Sequence, residues 1–155
     1  YNTNDAACEP FTIGKLDSST VTQVHNPAHA DITNSSVFEG TMVHDKATVS
    51  GSGPTPGGTV DFTLYAGLVC DGQVVNSWLD VALASGMAKS TAVALADGTY
   101  SYKVHYDGDS IYNPSDAQCE PFTIDPVLPL VVEKTANTSY DRKAYTFTFT
   151  PTPSC

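Results

Sequence analysis

The sequence predicts an all-β fold, an antiparallel β-sandwich of about seven strands with extra strands at the termini. Three observations predict it. Apolar and polar residues alternate in several short runs, Gly-, Pro- and Asp-rich signals separate those runs, and no convincing helical period is present. In addition, a segment at the start of the chain recurs after a domain-sized interval, which is typical of repeated domains.

The repeated segment marks the domain boundaries. Residues Tyr1–Ile13 and Tyr112–Ile124 differ at three positions and lie 111 residues apart. An interval of that length fits one small domain and its connector. We therefore expect residues 1–17 to be the last strand of a preceding repeat plus connector, and residues 18–124 to be a complete sandwich. Residues 125–155 are expected to be a linker and strands of a following or composite β-domain.

Composition argues against several functions. The net charge is −10 and only seven residues are Lys or Arg, so nucleic acid or an anionic membrane surface would be repelled. No apolar run approaches the length of a membrane span. The four cysteines, at positions 8, 70, 119 and 155, are too dispersed for a zinc site built from close ligand pairs. Their even number indicates disulfides in an oxidising compartment, with free buried thiols as the alternative.

The sandwich strands are predicted where β-branched and aromatic residues alternate with polar ones. In chain order they are Ser18–His25, Lys46–Ser50, Thr59–Tyr65, two short strands around Trp78, Ala88–Leu95, Thr99–Tyr106 and the end of the repeated segment at Phe122–Ile124. The same alternation of Phe11 and Ile13 predicts a half-buried strand in the first copy of the repeat.

Breaks between the strands follow from backbone chemistry. Asn26-Pro27 ends the first strand, because Pro fixes φ and has no amide donor. Residues 28–38 are polar and predicted to be irregular, residues 51–58 form a Gly- and Pro-rich loop, and Asp97-Gly98 is a hairpin turn.

Beyond the sandwich, the Pro-containing residues 125–129 are expected to form a stiff linker. Val131-Val132 and Tyr145–Thr150 are predicted to be two more strands. Two strands are not stable alone in water, so they must pack on another part of this chain or on another chain.

Several short motifs, taken together, resemble the bacterial immunoglobulin-like repeat domains of large surface proteins. The motifs are Asp45–Gly51, Gly58–Tyr65, Gly98–Tyr102, Tyr106–Asp109 and Phe122–Ile124. The resemblance covers roughly residues 18–124 and implies a seven-stranded Ig-like sandwich used as a spacer or adhesive repeat. It implies no catalytic residues.

The resemblance also implies a disulfide within the complete unit. Similar repeats often have one Cys after the Leu-Tyr strand and one before the closing strand, here Cys70 and Cys119. On the chain-entropy model, closing such a loop stabilises the fold by about 4 kcal/mol.

The other two cysteines have no obvious partner within one unit. Cys8 is the repeat equivalent of Cys119, and Cys155 lies in the incomplete tail. One hypothesis is that the N-terminal strand of one copy completes the tail domain of the next, locked by a Cys8–Cys155 bridge between chains, which would build filaments. The alternatives are two idle thiols or a bridge within the chain.

No metal site is expected. Asp107 and Asp109, with Asp116 nearby, offer oxygen ligands for Ca²⁺, but the spacing is not that of an EF-hand, and an acidic turn is favoured. His25 and His29 are four residues apart, which would suit a metal on a helix, but Pro27 forbids a helix and solvated loop histidines are favoured. His105 is expected on the polar face of its strand. His44 precedes Asp45, but no recognisable motif marks a nucleophile that would complete a catalytic triad.

Two further features have simple interpretations. Asn34 and Asn137 lie in sequons and are candidate glycosylation sites if the source glycosylates Asn. Tyr100, Tyr102, Tyr106 and Tyr112 could form a carbohydrate-stacking platform, but alternation places the first three with Val104 and favours core packing.

The sequence therefore favours a non-catalytic extracellular structural repeat or subunit of a surface protein or fibre. The alternative is an adhesin module that binds a glycan or host protein through loops such as residues 51–58. Expected partners are copies of the chain or neighbouring domains. We expect no nucleic acid, no membrane insertion and no cofactor.

Overall fold

A computed structural model of the chain describes residues 7–136 and 145–149. These ranges contain twelve β-strands and no helix, so none of their segments is an apolar helix of membrane-spanning length. The strands are β1 Ser18–His25, β2 Ser36–Phe38, β3 Met42–Gly51, β4 Thr59–Ala66, β5 Val74–Ala82, β6 Met87–Lys89, β7 Val93–Ala94, β8 Gly98–Tyr106, β9 Ser115–Asp116, β10 Glu120–Asp125, β11 Val132–Ala136 and β12 Tyr145–Phe149.

Strands β1 to β10 form the two sheets of a sandwich, which confirms the predicted fold class. The first sheet has the order β1-β3-β6, with β7 also paired to β3. The second has the order β2-β10-β8-β4-β5, with β9 beside β8. β10 and β2 are parallel, and the other strand pairs are antiparallel. β11 and β12 form a separate two-stranded sheet.

The core lies between the two sheets because alternate residues of each long strand point inward. Fully buried side chains come from β4 and β8 above all: Val60, Phe62, Leu64, Tyr102, Val104 and Tyr106. Trp78 of β5 packs against both halves of this core and stacks on Tyr102, with ring centroids 6.0 Å apart. The inward tyrosines therefore belong to the core.

Several elements differ from the sequence prediction. Residues 36–38, predicted to be irregular, form β2 because they pair with β10. Asp97-Gly98, predicted to be a hairpin turn, instead links β7 of the first sheet to β8 of the second.

The residues around Trp78 form one strand instead of two, because a register shift at Asp80, whose φ is +54°, lets β5 continue past it. Residues 88–95 form two short strands instead of one. Between them Ser90 interrupts the regular backbone pairing with β3. Its amide donates a hydrogen bond to Asp45 O at 2.9 Å, but the Asp45 amide donates to the Ser90 side-chain Oγ, at 2.9 Å, instead of to the Ser90 carbonyl.

The first copy of the repeat is not a strand in this structure. Phe11 and Ile13 are 84% and 85% exposed, whereas their equivalents Phe122 and Ile124 are each 1% exposed. The difference has a physical cause, since β10 is flanked by β8 and β2, and residues 7–13 pair with no strand among the described residues. The predicted half-buried strand at residues 11–13 is thus wrong for the isolated chain. The assignment of residues 1–17 to a preceding repeat stays a prediction.

A carboxyl group is buried among these apolar side chains. Asp45 of β3 is fully buried, and its Oδ1 accepts a short hydrogen bond from the Thr22 hydroxyl, while its Oδ2 has no partner among the described residues. Burial disfavours the charged form and raises the pKa of Asp45 to about 7. The folded state therefore holds the Asp45 proton more tightly than the unfolded chain does.

We expect Asp45 to make stability depend on pH. A folded-state pKa of about 7, above the unfolded value of 3.8, means that the Asp45 contribution is most favourable below about pH 4 and is lost as pH rises through about 7. Asp45→Asn cannot ionise. The free energy of unfolding of this variant minus that of wild type should therefore rise by about 2–4 kcal/mol from pH 4 to pH 8. Urea denaturation of both proteins at both pH values measures this difference. A difference between the two proteins that does not change with pH would contradict this.

Candidate functional site

The chain enters the sandwich through a clamp on the connector. Leu16 forms a parallel bridge with Tyr112. The Leu16 amide donates to Ile111 O at 2.8 Å, and the Asn113 amide donates to Leu16 O at 2.8 Å. The side chain of Asn113 also donates to Asp17 at 3.2 Å. The connector is therefore fixed to the segment that follows β8. We call this end of the sandwich, where Leu16 meets Tyr112 and Asn113, the N-terminal pole.

The side chain of Tyr112 joins this clamp to the loop of residues 51–58. Its ring is fully buried, and its hydroxyl donates to Pro54 O at 2.7 Å and accepts from the Gly53 amide at 2.8 Å. The ring fits only because residue 51 is Gly, since a Cβ there would lie 2.2 Å from Tyr112 Cε1. The loop considered for ligand binding is thus held by internal hydrogen bonds.

We expect Gly51→Ala to destabilise the domain by about 1–3 kcal/mol, because the added methyl would force the Tyr112 ring out of its place. The free energy of unfolding from urea denaturation measures this. Gly14→Ala is the matched control, since a Cβ at residue 14 meets nothing within 4 Å. Equal stability of the two variants would contradict the clamp.

The chain leaves the sandwich at the opposite end. Ile124 of β10 pairs with Gly98, the first residue of β8, whereas the Tyr112 clamp lies beyond Tyr106, its last residue. The Glu39 amide donates to Asp125 O at 2.8 Å and ties down the exit. We call this end the C-terminal pole. The nine residues of β8 run between the two poles, and their first and last Cα atoms are about 27 Å apart at about 3.4 Å per step.

A disulfide joins the residue before β10, which we call the closing strand, to the loop after β4. The Cys70–Cys119 bridge has an S–S distance of 2.09 Å and spans 49 residues of sequence. Because β4 and β10 flank β8 in one sheet, the bridge crosses β8 and does not connect the two sheets. The Cys70 amide donates to Ser101 Oγ of β8 at 3.0 Å. The bridge therefore fastens β10 to the centre of its sheet.

Of the remaining cysteines, only Cys8 lies among the described residues. Cys8 is exposed and has a free thiol, and Cys155 lies outside the described residues. Of the two sequons, Asn34 is exposed in a turn with φ of +58°, so its side chain is accessible. Asn137 lies outside the described residues.

The acidic turn has structural partners. Asp109 accepts hydrogen bonds from the amides of Ile111 and Tyr112, both at 2.7 Å, and of Gly57 at 3.0 Å. These bonds, the one from Gly57 first, lower the pKa of Asp109. Asp116 lies 2.9 Å from His105 Nδ1. These two carboxylates hold the N-terminal pole and the β8–β9 pair.

Asp107 instead approaches Asp61 and Asp80, with carboxylate oxygens within 4.8 Å of one another. Two of these carboxylates already have partners. Asp61 Oδ1 accepts from the Asp80 amide at 2.8 Å, and Asp107 Oδ2 accepts from the Thr59 hydroxyl at 2.6 Å.

The expectation of solvated loop histidines, made for His25 and His29, is wrong for His25. His25 is the last residue of β1, where it pairs with His44 of β3, and each is only 8% exposed. His29 is exposed, in the turn after β1. Sequence reasoning considered only the spacing of His25 and His29 along the chain. The register of the β1–β3 hairpin supplies the contact with His44 that this spacing cannot show.

Comparison with known families agrees with this architecture. The model of the family described as bacterial Ig-like domain (group 3) matches residues 30–125. The match covers more than half of the chain and confirms the resemblance drawn from its motifs. None of the curated proteins compared with the chain matches it.

Proposed function

The chain belongs to the bacterial Ig-like domain (group 3) family, and we propose that it is a non-catalytic structural module of an extracellular or cell-surface protein that carries tension between its ends. The observation behind this proposal is the position of the two poles at opposite ends of β8. Modules with such ends can be joined in series with little change of direction. The Cys70–Cys119 bridge fits an oxidising compartment.

The strand pairing suits a load applied at the poles. Tension pulls the connector at Leu16 one way and β10 at Asp125 the other way. β10 is held by β8 on one side and by β2 on the other. Pulling along the strand direction loads these ladder bonds together rather than one at a time, because they run across the strands. Resistance to extension is therefore built into the closing strand.

The disulfide would limit extension once β10 has been pulled free. The residues between Cys70 and Cys119 form a covalently closed loop, so they cannot lengthen under load. With 49 residues in that separation and a Cα–Cα distance of 5.9 Å, the bridge withholds about 16 nm of extended chain, at about 3.4 Å per residue. A module of this kind would stretch without fully unravelling.

Single-molecule force spectroscopy tests this proposal. The full chain, attached through its two ends, should unfold with a resolvable force peak. Its contour-length gain should be about 16 nm shorter than that of the Cys70→Ala/Cys119→Ala variant. Reduced wild type is the matched control and should behave as the variant does. Unfolding without a force peak, or equal lengths for all three, would contradict the proposal.

A second proposal concerns assembly, and the exposed first repeat favours it. Residues 7–13 carry the same apolar side chains as β10. Those side chains are buried in β10, whereas Phe11 and Ile13 are exposed. We propose that this segment pairs as a strand with another copy of the chain. Strand addition to an open sheet edge is an established binding mode. Cys8 occupies the repeat position of Cys119, so a bridge through Cys8 would lock the added strand.

Non-reducing electrophoresis of the chain tests the assembly proposal. Disulfide-linked oligomers should appear, and should disappear with reductant or with Cys8→Ser. Phe11→Asp keeps the thiol but disfavours burial of the strand, so it should also reduce the oligomers several-fold. Monomer only, or oligomers that Phe11→Asp leaves unchanged, would contradict strand pairing, because unspecific thiol oxidation does not depend on Phe11.

A further inference from the structure

Two histidines face each other on neighbouring strands. His25 is the register partner of His44, and their ring centroids lie 5.6 Å apart. Because Val24 and Val43 belong to the core, alternation places both histidines on the outer face of that sheet. Both are nevertheless buried. An outward-facing ring pair is buried only when another part of the chain covers it.

A third histidine ring comes from the turn that follows β1. The Asn26 amide donates to Ala30 O at 3.1 Å, and the Ala30 amide donates to the Asn26 side-chain oxygen at 3.0 Å. Within this turn His29 has a φ of +59°, a conformation that His adopts more readily than most residues do. The His29 ring then lies 6.5 Å from His25 and 5.7 Å from His44, measured between centroids.

The three rings can offer nitrogen atoms to one point in space. One nitrogen from each ring lies within 4.8 Å of the other two, so some point lies within about 2.8 Å of all three. Zinc binds imidazole nitrogen at about 2.0–2.1 Å. Movements of less than about 1 Å by each ring would therefore bring all three into the coordination distance.

Two nitrogens of the cluster have no partner. His25 Nδ1 and His44 Nε2 are buried and make no hydrogen bond to any described residue. Unsatisfied buried polar atoms are unfavourable and uncommon. Burial also lowers the pKa of both histidines, which favours the neutral form that binds metal ions.

We propose that His25, His29 and His44 form a zinc site with three imidazole ligands and a fourth position open to water. Neutral imidazole nitrogen is a preferred zinc ligand, and zinc accepts a tetrahedral set of this kind. His29 is exposed, so solvent reaches the open position. The competing explanation is that the rings only pack edge to face as aromatic groups, at interplanar angles of 78–84°.

Charged groups around the cluster moderate its affinity. Lys46 and Lys89 oppose a positive charge at His25, and Asp31 favours one. Both lysines have flexible stems that can carry their ammonium groups toward solvent when a cation binds. The site is independent of the load-bearing role, and a bound ion would fasten the turn of residues 26–30 to β1 and β3.

Isothermal titration of tag-free, chelator-treated chain with Zn²⁺ tests the site. The protein carries Cys8→Ser and Cys155→Ser, which remove thiols that could also bind zinc. We expect one ion per chain with a micromolar or lower Kd, and a rise of several degrees in the unfolding temperature. His29→Asn suits the left-handed turn and should weaken zinc binding at least tenfold, without changing the unfolding temperature in chelator.

His105→Gln is the matched control, because His105 is the one histidine of the chain outside the cluster. It should leave the zinc affinity within twofold of the parent value. The site is overturned if the parent protein binds no zinc, if His29→Asn binds zinc as tightly as the parent, or if His105→Gln weakens binding as much as His29→Asn does. Edge-to-face packing alone predicts the first of these results.

Discussion

The fold depends on β8 being paired along both of its edges. β4 covers one edge, and β10 and β9 cover the other. Its inward side chains Tyr102, Val104 and Tyr106 are fully buried, so the strand supplies both ladder bonds and core. The two poles lie at its ends, and the disulfide crosses it. Whatever displaces β8 would therefore release the core, the closing strand and both points where the chain enters and leaves.

The two copies of the repeated segment show how far local sequence alone determines a strand here. Both carry the same Cys-Glu-Pro-Phe-Thr-Ile run, yet only the second is a strand among the described residues. Local alternation is thus insufficient for a strand here, and the neighbours β8 and β2 supply what is missing. Phe122 gains burial and stacks on Tyr102, with centroids 5.9 Å apart, whereas Phe11 faces solvent. Tertiary pairing decides which copy becomes ordered as a strand.

Sequence could predict features that arise from local periodicity. The bounds of β1 agree with the prediction, and β8 begins one residue earlier than predicted. The burial of Asp45 and the contact between His25 and His44 were not predicted, because both follow from pairing between residues far apart in the chain. The register between β1 and β3 brings two histidines that are far apart in sequence into contact. Antiparallel pairing of Ser18–His25 with residues 44–51 predicts the contact between these two histidines.

One short segment performs two tasks in the described sandwich. Its beginning, Tyr112-Asn113, holds the incoming connector, while its end, from Cys119 to Ile124, closes the sheet under a disulfide. The residues for both tasks are identical in the first copy. A change that suited only the clamp or only the strand would leave the other half of a module poorly held. The two tasks therefore constrain the segment from both ends, whereas the polar turns between strands tolerate change more readily.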